Sequence, residues 1–190
     1  MRAFIAIKLP LNLKSAISGI QEELKRTLPT VSWTKPDNLH ITLKFLGEIS
    51  PEQAVNIKQI ITENAKATFG FRIKLETLGV FPNTRCARII YMGANEGSLE
   101  IKQIVEQLEL KLAQLGIPKE NRSFSSHITI GRIRSRIGQF EIETALNKAS
   151  RLLDNKNFGF VADSITLFKS TLGVEGPTYT VLEEANLRIS

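Results

Sequence analysis

His40-Ile41-Thr42-Leu43 and His127-Ile128-Thr129-Ile130 are two copies of one short pattern. Each reads as the middle of a β-strand, in which alternate side chains share a face. His40 and Thr42 then point one way, with Lys44, while Leu39, Ile41, Leu43 and Phe45 point the other. In the second copy His127 and Thr129 lie in front of Ile128 and Ile130. The apolar face anchors the strand in a core, and the opposite face presents an imidazole beside a hydroxyl. The chain has 2 histidines, and both stand in these tetrads. One histidine on a strand is usually structural; two at the same place in matching tetrads point to chemistry.

Around each tetrad the chain repeats itself. The spacing of Leu13, Ile17, Ile20, Leu24 and Leu28 predicts a helix after Pro10, ended by Pro29. A loop through Pro36 and Asp37 leads to the first motif strand, Leu39–Leu46, which Gly47 closes. Ser50, Pro51 and Gln53 mark the start of a second helix reaching about Ala67. In the second half Ile101, Ile104, Val105, Leu108, Leu112 and Leu115 form one helical stripe, stopped by Gly116 and Pro118. A polar loop carrying Arg122 precedes the second motif strand, and a further helix runs from about Phe140 to Leu153. Other strands are predicted at Phe4–Leu9, Phe71–Leu78, Ala87–Met92, Gly159–Lys169 and Thr178–Leu187, with a turn over Gly79–Thr84.

This order predicts an α+β fold and a single bilobal domain over residues 1–190. Two similar lobes would face each other, their antiparallel sheets lining a central cleft and their helices outside. The chain of 190 residues is long enough for that core.

Composition narrows the function. The net charge of +6 suits a polyanionic partner such as RNA. The single cysteine, Cys86, allows no internal disulfide and no paired-cysteine metal site, which fits a reducing cytoplasm. Its apolar surroundings predict a small buried side chain. The apolar N-terminal run is broken by Lys8 and Pro10, so it reads as neither leader nor membrane span. Two histidines without a cysteine cluster or an HExxH pattern supply too few ligands for zinc. Nucleotide-binding glycine loops and a GxSxG elbow are both missing.

Paired imidazoles suit proton transfer near neutral pH, since one can accept a proton while the other donates one. Phosphodiester hydrolysis needs both services on opposite sides of phosphorus. Thr42 and Thr129 can donate hydrogen bonds to the non-bridging oxygens. Arg132 follows Gly131, where a bulge would turn it toward the site to meet developing charge.

Four stretches carry a resemblance: 2–10 (RAFIAIKLP), 38–47 (NLHITLKFLG), 79–83 (GVFPN) and 124–132 (FSSHITIGR). Together they resemble the 2H phosphoesterase superfamily, and within it the bacterial and archaeal RNA 2′,3′-cyclic phosphodiesterases, also called 2′-5′ RNA ligases. The resemblance implies metal-independent hydrolysis of an RNA 2′,3′-cyclic phosphate end to a 2′-phosphomonoester. It also implies ATP-independent 2′-5′ joining by the reverse route. By the same resemblance His40 is the proton donor to the leaving 3′-oxygen and His127 the proton acceptor that activates water. The substrate-binding set is Thr42, Thr129 and Arg132, with no metal and no cofactor. Residue order alone leaves the two histidine roles interchangeable. The family often has Pro before the second motif His; this chain has Ser126. The alternatives are a small cyclic substrate, such as a cyclic nucleotide or ADP-ribose cyclic phosphate, and a non-catalytic RNA-binding protein. The expected partner is cyclic-phosphate-ended RNA, with no membrane, in the cytoplasm, and the expected state is a monomer.

Overall fold

The chain alternates short helices with strands that all find antiparallel partners. The computed structural model describes residues 1–121, 123–154, 157–174 and 176–189. Arg122 of the predicted polar loop lies outside them.

The strands are β1 (Arg2–Lys8), β2 (Ser32–Trp33), β3 (His40–Glu48), β4 (Phe71–Phe81), β5 (Ile89–Ala94), β6 (His127–Arg132), β7 (Gly159–Ala162), β8 (Ser164–Gly173) and β9 (Gly176–Asn186). The helices are α1 (Leu11–Thr27), α2 (Pro51–Ala67), α3 (Ser98–Ala113) and α4 (Gln139–Ser150). Among the described residues the strands form one sheet in the order β7-β4-β5-β6-β3-β1-β8-β9, with β2 paired to β6. The helices and the main core cover one face. The other face carries a small separate cluster of Phe4, Ala6 and Phe168, with Tyr179 packed against it.

The predicted lobes are the two halves of this sheet, joined in the middle by β3 and β6 through the antiparallel pair Ile41↔Ile128. The two sequence halves interleave in space. Helix α1 precedes β3, yet it packs under β6 and against α4. Helix α3 precedes β6, yet it packs under β3 and against α2. Each half therefore sends its first helix beneath the other half's motif strand.

Only Asp163 separates β7 from β8, although β7 is one edge of the sheet and β8 lies next to the other. That one-residue link requires the sheet to curl until its ends approach. A bridge between Phe69 and Arg188, and a bond from Leu187 N–H to Asp163 O, close the gap. The run Gly159–Lys169, predicted as one strand, is thus two strands serving opposite ends of the sheet.

The helix starts follow their sequence signals. Ser50 accepts from the Gln53 N–H while the Gln53 side chain accepts from the Ser50 N–H, a complete capping box ahead of Pro51. Three expectations need correction. Residues Gly79–Phe81 are not a turn but the end of β4, paired across to Tyr91, Ile90 and Ile89. Gly47 does not close its strand: it sits inside β3 at φ +70°, opposite Ala3, where the β1–β3 register shifts. Cys86 is exposed rather than buried. Asn83 Oδ1 accepts from the backbone N–H groups of Arg85 and Cys86, a side-chain-capped turn that lifts Cys86 out of the apolar run.

Candidate active site

Both motif strands bend at the same point. In the β1–β3 pair, Thr42 lies opposite Ala6 and Lys44 opposite Ile5, so Leu43 is an extra residue. In the β5–β6 pair, Thr129 lies opposite Tyr91 and Gly131 opposite Ile90, so Ile130 is the extra residue. A bulge reverses the alternation beyond it. The exposure sequence of His40–Phe45 is accordingly the same as that of His127–Arg132.

The bulges reassign side chains that strict alternation placed elsewhere. Lys44 does not share the His40 face. It is buried at 3% exposure, and its ammonium donates to Glu109 Oε1 and to Pro118 O, each at 2.7 Å. Phe45 does not enter the core; it is 61% exposed on the His40 face, directly opposite Phe4. Arg132 is turned out to the histidine face, as the Gly131 bulge predicts.

The central Ile41↔Ile128 pair puts both isoleucines on the helix side. Antiparallel register around it sets His40 across from Thr129 and Thr42 across from His127, on the open face. All four are half-buried. Each imidazole is oriented by its own loop. His40 Nδ1 is 2.8 Å from Asn38 O, and His127 Nδ1 is 2.8 Å from Ser125 O. A carbonyl only accepts, so Nδ1 carries the proton in both rings and Nε2 is left for the cleft.

Aromatic rings fix the imidazoles further. Phe4 lies 4.8 Å from the His40 ring, and Tyr179 meets it edge-on at 5.4 Å. Phe81 and Tyr91, stacked at 4.1 Å, meet His127 edge-on at 5.1 and 5.6 Å. Phe4 is therefore a wall of the site. Gly79 makes room for this stack, since a Cβ there would come within 2.7 Å of the Tyr91 ring.

Burial lowers the His40 imidazole to about 4, and the positive charges of Lys14, Arg132 and His127 push it the same way, against the opposing bond to Asn38. Burial also raises the Tyr179 phenol. The structure thus brings together all five residues singled out from the sequence: His40, Thr42, His127, Thr129 and Arg132. It adds Lys14, Tyr179 and Gln21, which the motifs did not reveal. Gln21 is a buried residue of α1 whose amide reaches Ile130 O, and only its polarity amid an apolar helical stripe could have flagged it. Among the described residues no three His, Cys, Asp or Glu side chains gather where they could hold a metal ion. No helix there is long and apolar enough to cross a membrane.

Two interleaved halves that each deliver a His-x-Thr strand to one shared cleft define a duplicated two-histidine fold. The model of LigT-like phosphoesterases matches residues 7–91 and 93–179, one match per half, and the chain belongs to that family. A Methanocaldococcus jannaschii protein named RNA 2′,3′-cyclic phosphodiesterase is 36% identical over 97% of this chain and 99% of its own. An Aquifex aeolicus protein of the same name is 33% identical over 97% of this chain and 96% of its own. The crystal structure of TT0787 of Thermus thermophilus superposes with a TM-score of 0.83 over the full length of both chains, at 25% identity.

Proposed function

We propose that the chain hydrolyses RNA 2′,3′-cyclic phosphate ends to 2′-phosphomonoesters by two-histidine acid–base catalysis without a metal ion. The observation that carries this is the matched pair of Nδ1–carbonyl bonds, which leaves an Nε2 from each half for proton transfer. The relatives' names and the net charge of +6 support RNA as the substrate.

With the cyclic phosphate between the motifs, Thr42 and Thr129 donate to its non-bridging oxygens. His127 takes a proton from water as the water oxygen bonds to phosphorus. The bond from phosphorus to the 3′-oxygen breaks, and His40 delivers its proton to that oxygen. Arg132 meets the charge that builds on the equatorial oxygens. The free site holds His40 neutral at pH 7; the bound phosphate anion offsets the surrounding cations, raises the imidazole and lets it arrive at the reaction protonated. In reverse, a 5′-hydroxyl in the place of water would join the ends through a 2′-5′ linkage, with no ATP consumed. The whole chain acts as one bilobal domain and as a monomer.

The test is turnover of a short RNA ending in a 2′,3′-cyclic phosphate, with EDTA present, for the wild type, His40→Ala and His127→Ala. General acid–base catalysis is worth about 10²–10⁴-fold per group. A 2′-phosphate product that falls by that factor in each variant, with EDTA without effect, is expected. Inhibition by EDTA, or full activity in either variant, would overturn the mechanism.

A further inference from the structure

On the open face one row of residues runs outward from His127. His127 lies opposite Gly93 of β5, and Gly93 lies opposite Thr77 of β4. On the other side of β6 stands β3 with His40, so this row leads away from the second imidazole. It forms the floor of an open cavity of about 460 Å³. The cavity starts at His127 itself. Its wall includes Ser125, whose carbonyl orients that ring, and Tyr91, which meets the ring edge-on at 5.6 Å. Gly93 keeps the floor low, because a Cβ there would fall 2.5 Å from Thr77 Oγ1 and 3.4 Å from the Tyr91 ring. Asn95, Ser98 and Lys102 add an amide, a hydroxyl and an ammonium, and among the described residues no carboxylate lines the cavity. Lys102 does approach Glu106 outside it, at 3.9 Å and with side-chain exposures of 60% and 63%. Water screens so open a pair, and a phosphate can compete for the lysine.

We propose that this cavity is the subsite for the 5′-hydroxyl strand in 2′-5′ joining. The inference rests on the mechanism above, in which His127 serves the attacking oxygen and His40 the leaving one. Attacking and leaving oxygens lie roughly in line through phosphorus, so the nucleophile enters from the His127 side, where the cavity opens. The first nucleotide of the strand sets its 5′-hydroxyl at His127 Nε2. That oxygen bonds to phosphorus as its proton passes to His127, the bond to the 3′-oxygen breaks, and His40 delivers its proton there. The sugar needs hydroxyl and amide partners, which Thr77, Ser98, Ser125 and Asn95 supply. The next phosphate needs a cation, which Lys102 supplies. Such contacts position a strand without reading its bases. A strand seated here also displaces water from His127, so its occupancy decides between joining and hydrolysis.

The test is a competition between the two fates of one substrate. An RNA with a 5′-phosphate and a 2′,3′-cyclic phosphate end is mixed with rising amounts of a short RNA that has a 5′-hydroxyl and an ordinary 3′-hydroxyl. Hydrolysed and joined products are measured for wild type, Lys102→Glu and Lys102→Arg. Lys102 is exposed, so both variants should fold. Charge reversal should raise the acceptor concentration for half-maximal joining about tenfold, the scale of one charged hydrogen bond. It should also flatten the salt dependence of joining, and arginine should restore both. An unchanged acceptor requirement in Lys102→Glu would overturn the subsite. So would a loss that falls on the KM of the cyclic-phosphate RNA, which would put the other strand in this cavity. Hydrolysis by the wild type with no joining at any acceptor concentration would overturn the subsite and leave the hydrolytic reading standing. Neither product from the wild type would overturn both.

Discussion

The side-chain amide of Gln21 donates to Ile130 O at 2.9 Å, across a sequence separation of 109 residues. The same nitrogen donates to Thr34 O, also at 2.9 Å. Ile130 is the extra residue of the bulge that turns Arg132 into the cleft, so α1 of one half braces the motif strand of the other. Gln21→Leu keeps the volume and removes both donors. It should cost about 1–3 kcal/mol, the usual penalty for abandoning buried acceptors. Gln21→Glu should cost more, because it turns a carboxylate on two carbonyl oxygens. Urea unfolding should rank wild type, then Leu, then Glu; equal midpoints would show that the bonds contribute nothing.

The other bulge is braced the same way with opposite chemistry. The Lys44 ammonium meets Glu109 of α3 at 2.7 Å, with side-chain exposures of 1% and 14%. Removing one partner of such a pair costs about 3–5 kcal/mol, because the other charge stays buried, whereas replacing both by apolar groups is often nearly neutral. Lys44→Met alone should therefore be far less stable than Lys44→Met combined with Glu109→Leu. A double variant weaker than the single one, by urea midpoint, would contradict this account.

His40 makes stability depend on pH in a defined window. Its folded-state value of about 4 lies below the 6.5 of an unperturbed imidazole. Between those values the unfolded chain binds a proton that the native one does not, so stability is complete above the upper value and is lost as pH falls toward the lower. The slope approaches about 1.4 kcal/mol per pH unit. His40→Gln should flatten this part of the curve. Urea denaturation at pH 7 and at pH 4.5, for wild type and variant, measures it; an equal loss in both would remove His40 as the cause.

Cys86 should be titrated fully by a thiol reagent in the native protein, because it is exposed in the turn after Pro82. Its sulfhydryl lies 3.2 Å from Asn83 Oδ1, so Asn83→Ala should loosen the turn and speed labelling further. Labelling only after denaturation would place the thiol in the core instead.

The sequence revealed what repeats and what is periodic. Two histidines in twin tetrads marked the candidate site, and apolar spacing with capping and breaker residues marked α1, α2 and α3. Strict alternation failed at Leu43, where no residue type announces a bulge; at the second bulge Gly131, next to Ile130, did announce one. That failure misplaced Lys44 and Phe45 in opposite directions at once. Turn-forming residues misled at Gly79–Phe81, where the glycine serves an aromatic stack instead of a turn. The break at Asp163 was invisible because residues on both sides favour strands, and only curling of the sheet sends them to different partners. The roles of Gln21 and Lys44 were hidden for a related reason: Ile130, Glu109 and Pro118, which they bond, belong to the other half of the chain.

The charges around His40 predict how its titration responds to the residues that face it. Lys14, Arg132 and His127 each push its pKa down, after burial. Neutralising Lys14 or Arg132 as Gln should raise the His40 midpoint, and inorganic phosphate in the cleft should raise it more, since an anion opposes every one of those charges. With 2 histidines in the chain, the imidazole signals in an NMR titration can be assigned from the His127→Ala variant alone. A midpoint that rises with phosphate is what a proton donor to the leaving oxygen needs, because the group must hold its proton when substrate is bound. A midpoint that stays near 4 with saturating phosphate would instead give His40 the accepting role and leave the donation to His127.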